Sequence, residues 1–513
     1  MERISSLFIF RTHKSLFISE PRLEIRPTNA TKCSFCNDWY YKLFKKEPQK
    51  IKVLDKIQNI ELSGDDFNDT IVKNTIESII AMKTIQNSNG EKACHRYIIS
   101  NNQSAINILE VFSMFKLCGW KDLTVDIVPL FETIDDLNVC KNVMETVYNN
   151  KKYRNHLEKR GNVQTIMLGF SDGTKDGGYL TANWSILKAK ESLTKISRKY
   201  GIKVIFFDGR GGPPARGGGN THQFYSALGN LVESEQIQLT VQGQTISSNF
   251  GTIDSSQYNL EQLISSGVKN KIISDKEIFT GSHRRTLNKL SEISYKSYSD
   301  FKSHPKFVPY LEHMSTVKYY AKTNIGSRPS KRTNDDVFSF ESLRAIPFVG
   351  SWSQLKQNVP GFFGLGTAIN YFHENKRLSE VKKLYKEVPF FRALVSNSMM
   401  SLTKSFFQLT SYMKDDPEFG AFWEIIHDEY LLTKKMLLKV SGFTELMQNE
   451  PANKLSIQTR ENIVLPLITI QQFALQNIKE LNTGKNNGKK IHVYEKMVMR
   501  SLFGNINASR NSA

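Results

Sequence analysis

The stretch 204-VIFFDGRGGPPARGGGNTH-222 runs from four apolar residues through an aspartate into six glycines and two arginines. Three readings compete: an RGG-type nucleic-acid tail, a phosphate-binding loop, or a flexible linker. An RGG tail repeats and lies in polar sequence. This stretch occurs once, after an apolar strand and before the apolar run FYSALGNLV. A Walker loop needs Lys-Ser or Lys-Thr after its last glycine, and GGGNTH has neither. The spacing of Gly209, Gly211 and Gly212 also misses the dinucleotide fingerprint. What remains is a loop in which small residues let backbone N–H groups approach an anion, with Arg210 and Arg216 as charged donors. Glycines serving only a tight turn are the alternative.

Upstream, the pattern alternates strand and helix from about residue 90 to 225. HRYIIS (95–100), LTVDIVPLF (123–131), VQTIMLGF (163–170) and KVIFF (203–207) read as strands. Between them lie helices with Ile108, Val111, Phe112 and Phe115 on one face, then Leu137, Cys140, Met144 and Val147, then Ala189, Leu193, Ile196 and Tyr200. Thr133 and Asp136 give the second helix a capping-box start, and Gly119 and Gly201 stop the first and third. Strands recurring with helical crossovers predict βαβ units and a parallel sheet. Polar chemistry follows three strand ends: Glu132, then Asp172 and Lys175, then Asp208 and Arg210. A β/α barrel and a doubly wound sheet both put ligands there, so periodicity leaves both open. After about residue 255 helical periodicity dominates, in 285–300, 377–388, 391–415, 420–446 and 455–481. The expected organisation is an unplaced segment over 1–50, a βα region over 51–255 and a mainly helical region over 256–513.

The 513 residues are 39% hydrophobic and 11% aromatic, enough for a large core, and carry a formal net charge of +19. That charge suits acidic partners, but the lysines are scattered, as on an ordinary basic surface. Basic residues interleaved with aromatics on one face are not evident, which argues against nucleic acid as partner. The five cysteines predict no disulfide framework, and the single CxxC of Cys33 and Cys36 lacks the further ligands of a zinc site. Arg11 interrupts the N-terminal apolar run, and no apolar segment is long enough to span a bilayer. A soluble cytoplasmic protein is expected.

Other breaks carry similar chemistry. NIGSRPSKR holds Arg328, Lys331 and Arg332, and ESLRAIP holds Arg344. Arginine forks suit phosphate or carboxylate. Glu132 and Asp172 suit a hard divalent cation such as Mg2+ or Mn2+, with ordinary rim acids as the alternative. Together these residues predict a site for a small phosphorylated acid with a metal bridging its oxygens.

The motifs PLFETIDDL, GFSDGTKDGG, FFDGRGGPPARGGG, NIGSRPSKR and ESLRAIPFVGSWSQ, in this order, resemble those of phosphoenolpyruvate carboxylases, and the similarity runs from about residue 50 to the C-terminal RNSA. The resemblance implies an α/β fold: the C-terminal strands of a β/α barrel of the TIM type, incomplete here, followed by a large all-helical region. It implies a carboxy-lyase, joining phosphoenolpyruvate and bicarbonate through carboxyphosphate and an enolate to give oxaloacetate and phosphate. By it, Glu132 and Asp172 hold the metal. Lys175 is the active-site lysine, and Arg210, Arg328 and Arg344 bind the phosphoryl group. It further implies a homotetramer and a feedback site for L-aspartate at Arg216, Lys404, Arg460 and Asn511.

The chain departs from the family at three places. Asp208 stands where the family has histidine, and its carboxylate would repel bound phosphate unless it pairs with an arginine or turns away. SKRTNDDVFSFES (330–342) replaces a glycine-rich mobile loop. The Thr-Ala-His-Pro-Thr motif with the catalytic histidine is absent, and His304-Pro305 does not match it. RLEIR (22–26) resembles a remnant barrel strand, which would add Arg26 to the phosphate site. The expectation is a chain with little activity alone. The alternative is a non-catalytic protein retaining the phosphate and aspartate pockets.

Overall fold

The computed structural model describes residues 8–10, 47–57, 61–241, 244–272, 279–320, 339–340, 343–482 and 488–509. Arg26, Cys33, Cys36, Arg328, Lys331, Arg332 and Asn511, with the RLEIR segment, lie outside the described residues. The chain divides into two compact units. The first comprises 1–168, 189–207 and 236–238, and the second comprises 169–188, 208–235 and 239–513.

The first unit is built on a parallel sheet. Its strands are β1 (Phe8–Phe10), β2 (Arg96–Ile99), β3 (Asp126–Phe131), β4 (Val163–Gly169), β5 (Lys203–Gly209) and β6 (Ile237–Leu239). They lie side by side in chain order, with β1 through β4 paired parallel. A doubly wound sheet reverses its order at a switch point. This one does not, which removes that alternative. In the β2–β3 register Ile98 faces Val128. These two residues join Leu130, Met167 and Phe207 in one buried cluster.

Helices α1 (Ala105–Leu117) and α2 (Ile134–Asn149) connect the strands. Each buries the face its periodicity predicts: Ile108, Val111, Phe112 and Phe115 on α1, and Leu137, Cys140, Met144 and Val147 on α2. The capping box of α2 forms as expected, with Thr133 Oγ1 accepting from the Asp136 N–H and Asp136 Oδ2 accepting from the Thr133 N–H. Two strands escape the sequence reading. β1 and β6 are only three residues each, too short to establish an alternation.

The second unit begins where β4 ends. The short helix α3 (Phe170–Gly177) follows at once, then α4 (Tyr179–Lys199), whose C-terminal part returns to the first unit. Beyond β6 the unit is helical: α5 (Gly281–Lys302), α6 (Ala345–Gln354), α7 (Leu365–Glu374), α8 (Pro389–Thr403), α9 (Gly420–Ser441), α10 (Pro451–Leu481) and α11 (Gly488–Ser509) carry most of what the site uses. An aromatic core including Phe301, Phe307, Tyr310, Phe348, Trp352 and Phe422 holds α5, α6 and α9 together.

The helical run expected over 391–415 is broken. α8 stops at Thr403, and a 3-10 turn follows over Phe407–Asp415. The Phe406 N–H donates to the Lys356 carbonyl (2.8 Å), and Ser405 Oγ donates to the Gln357 carbonyl (3.1 Å). These tertiary bonds outcompete helix continuation and leave Lys404 at the C-cap. Among the described residues, no helix is long and apolar enough to cross a membrane.

Candidate active site

The glycine stretch is a folded plug. β5 ends at Gly209, and a 3-10 turn forms over Pro214–Arg216. The Gly211 N–H donates to the Arg216 carbonyl at 2.7 Å, while the Gly217 and Gly218 N–H groups donate to Pro214 and Pro213. Two glycines are enforced by space. A Cβ on Gly218 would lie 1.8 Å from the Gly212 carbonyl oxygen. Gly217 has φ +80, and a Cβ there would lie 2.6 Å from the Phe170 ring. The loop thus packs on itself and on α3, and several of its N–H groups serve its own turns.

The two arginines fix this loop in different ways. Arg210 Nε donates to the Gly217 carbonyl, and its guanidinium lies 4.2 Å from the Phe224 ring centre. Arg216 is buried. Its Nε donates to Ser171 Oγ at 3.2 Å, and its charge is attracted by Asp172. Burial lowers the Arg216 pKa to about 10, still fully charged at neutral pH. Among the described residues Arg216 Nη1 has no hydrogen-bond partner, so a buried charged donor stands beside Asp172.

The Asp208 carboxylate is held by a tyrosine hydroxyl. It is wholly buried, and its Oδ2 accepts the Tyr225 hydroxyl at 2.7 Å. Burial, then the neighbouring Asp208 charge, raises the Tyr225 pKa well above its ordinary value, so the phenol stays a neutral donor. Tyr225 was unreadable as a site residue, because FYSALGNLV looks like an apolar helix face.

Lys175, in the last turn of α3, donates to the carbonyls of Phe340 (2.7 Å) and Leu343 (2.5 Å) and lies 4.2 Å from the Phe340 ring centre. Arg344 follows immediately as the N-cap residue of α6. α3 packs against α6 and against the Pro214–Arg216 turn. Asp172, Lys175, Arg216 and Arg344 are therefore gathered around one short helix at the C-terminal end of a parallel strand.

Glu132 follows the last residue of β3 in the first unit, and its Oε1 accepts the Asn101 N–H at 2.7 Å. Among the described residues no three His, Cys, Asp or Glu side chains form a metal cage. Glu132 belongs to the first unit and Asp172 to the second. Asp172 is a hard oxygen ligand of the kind Mg2+ takes, and Mg2+ completes its shell with water and substrate oxygens.

Of the residues expected to bind aspartate, Lys404 and Arg460 line one pocket. Arg216 turns toward Ser171 instead. A neighbouring pocket lined by Ala215 shares Lys404. Burial, then the charges of Lys356 and Arg460, lowers the Lys404 pKa to about 8.

A set of cations around one short helix suits a small anionic ligand. The family model for phosphoenolpyruvate carboxylase matches residues 36–509, and the chain belongs to that family. It is similar to the phosphoenolpyruvate carboxylase of Nitrosomonas eutropha, 34% identical over 433 residues, covering 81% of this chain and 46% of that protein. The Nitrosomonas europaea enzyme is 33% identical over 455 residues, covering 85% and 48%. The Corynebacterium glutamicum enzyme is 32% identical over 443 residues, covering 82% and 47%. The chain spans about half the length of the curated relatives it matches.

Proposed function

We propose that this chain carries the phosphoryl-handling part of a phosphoenolpyruvate carboxylase, which converts phosphoenolpyruvate and bicarbonate to oxaloacetate and phosphate. The sheet would then be a run of strands from a β/α barrel. The observation that carries the reading is the gathering of Asp172, Lys175, Arg216 and Arg344 around α3.

The substrate is a trianion near neutral pH, so it needs several fixed cations in a site that excludes water. Arg344 and Arg210, with Arg328, would hold the phosphoryl oxygens as the group passes from the enol oxygen to bicarbonate. Lys175 would keep the turn before Arg344 closed and add a positive charge. A divalent cation held by Asp172 would offset negative charge on the substrate oxygens. Lys404 and Arg460 would belong to a separate pocket taking L-aspartate as a feedback ligand.

The test is calorimetric titration of phosphoenolpyruvate with and without Mn2+. Binding should require the cation and disappear in Asp172→Asn, while Arg344→Ala should weaken it by about tenfold or more. Equal binding by wild type and Asp172→Asn, with or without Mn2+, would remove the metal from this site.

A further inference from the structure

The pocket of Lys404 and Arg460 already contains a carboxylate. Lys356 lies in the turn after α6 and is 4% exposed. Its ammonium donates to both carboxylate oxygens of Glu461, at 2.6 and 2.7 Å. Glu461 follows Arg460 on α10, and all four residues line the same cavity. Three cations thus face one internal anion.

The backbone holds Lys356 there under strain. Lys356 has φ +54 and Asn358 has φ +45, left-handed conformations that non-glycine residues adopt at a cost. The turn is held by the Phe406 N–H on the Lys356 carbonyl, and by Asn358, which accepts from Ser353 Oγ (3.1 Å) and donates to Ser405 Oγ (3.3 Å). Strain maintained by a dedicated set of bonds is a mark of a functional position. The remaining cavity is about 10 Å³, roughly the room one water needs. No dicarboxylate fits while Glu461 stays on Lys356.

We propose that Glu461 is a built-in carboxylate ligand of this pocket, occupying the place an external carboxylate would take. The inference rests on the reading of the pocket as an effector site and gives that site an internal competitor. An external ligand must displace a tethered carboxylate, whose effective concentration is high. External carboxylates therefore bind the wild-type chain weakly, and removing Glu461 opens the pocket to them.

The experiment titrates wild type and Glu461→Ala with two probes, L-aspartate and succinate, by calorimetry. Glu461→Ala should bind both at least about tenfold more tightly. Because this variant leaves Lys356 buried without its counter-ion, Glu461→Gln serves as a second variant of native size. Ligand-induced rise in Tm serves as a second readout, since a ligand bound only by the folded state stabilises it. A gain for succinate without one for L-aspartate supports the built-in ligand and removes the aspartate reading. Equal affinities in wild type and both variants overturn the built-in ligand and leave the effector reading standing. No binding of either probe to any of the folded proteins overturns both.

Discussion

Tyr225→Phe removes one oxygen from the centre of the glycine loop. The ring remains, so its edge contact with Phe224 (5.1 Å between centres, 87° between planes) and its position near Arg210 survive. What is lost is the hydroxyl that Asp208 Oδ2 accepts at 2.7 Å, in a site where Asp208 is 0% exposed. Hydrogen bonds to charged groups are worth about 1.5–3 kcal/mol, and a buried acceptor that loses its donor cannot recruit water. Tyr225→Phe should therefore destabilise the chain by about 2–3 kcal/mol. The loss should read as a lower urea midpoint at unchanged m. A double-mutant cycle with Asp208→Asn isolates the pair and should give a coupling of about 1.5–3 kcal/mol. The raised Tyr225 pKa adds a pH signature. The folded state holds this proton more tightly than the unfolded chain. Its stabilisation is full below the unfolded phenol value and is lost as pH climbs above it. Tyr225→Phe should flatten that alkaline loss. A cost below about 0.5 kcal/mol, or additive single variants, would refute the reasoning.

Two further perturbations probe the helical region. Glu429 on α9 caps α7, accepting the Gly364 N–H (3.0 Å), the Thr367 N–H (3.2 Å) and two threonine hydroxyls. Glu429→Ala leaves these donors buried and should cost about 3–5 kcal/mol, measured by chemical unfolding, whereas a surface glutamate would cost under about 0.5. Lys404 has a pKa lowered to about 8, so the unfolded chain binds its proton more tightly and stability should rise from about pH 8 toward the ordinary lysine value. Lys404→Met should remove that rise and, after allowance for solvent screening, stabilise the protein at pH 7 by about 1–2 kcal/mol in thermal unfolding.

Long periodic segments were readable because their burial follows local spacing. α1 and α2 bury the very faces that 3.6-residue periodicity marks, and the Thr133–Asp136 capping box is wholly local. β1 and β6 were invisible because their pairing depends on neighbouring strands, with three residues giving no pattern of their own. The end of α8 at Thr403 was hidden for a related reason, since it is fixed by Lys356, nearly fifty positions away in sequence. At the site, Arg210, Arg216, Asp172 and Lys175 stood out because charges beside glycines and strand ends are conspicuous. Tyr225, Lys356 and Glu461 did not, because each acquires its role only through a partner distant in sequence. The glycines drew attention as donors of free N–H groups. Gly217 and Gly218 prove equally necessary as the only residues small enough for the loop's own packing.

The proposed phosphoryl-handling role of Asp172, Lys175, Arg210 and Arg344 lacks, in this sequence, the histidine motif that the family resemblance expects. Its most direct test is oxaloacetate formation from phosphoenolpyruvate, bicarbonate and Mg2+. The chain would be assayed alone and after addition, in cis or as a second polypeptide, of the half of a related carboxylase that it does not match. Little or no turnover is expected from the chain alone, and restored turnover in the combination, abolished by Asp172→Asn. Robust turnover by the 513-residue chain alone would mean that another residue replaces the absent histidine motif. No turnover in a well-folded combination would contradict the carboxylase reading and favour a protein that only binds these anions.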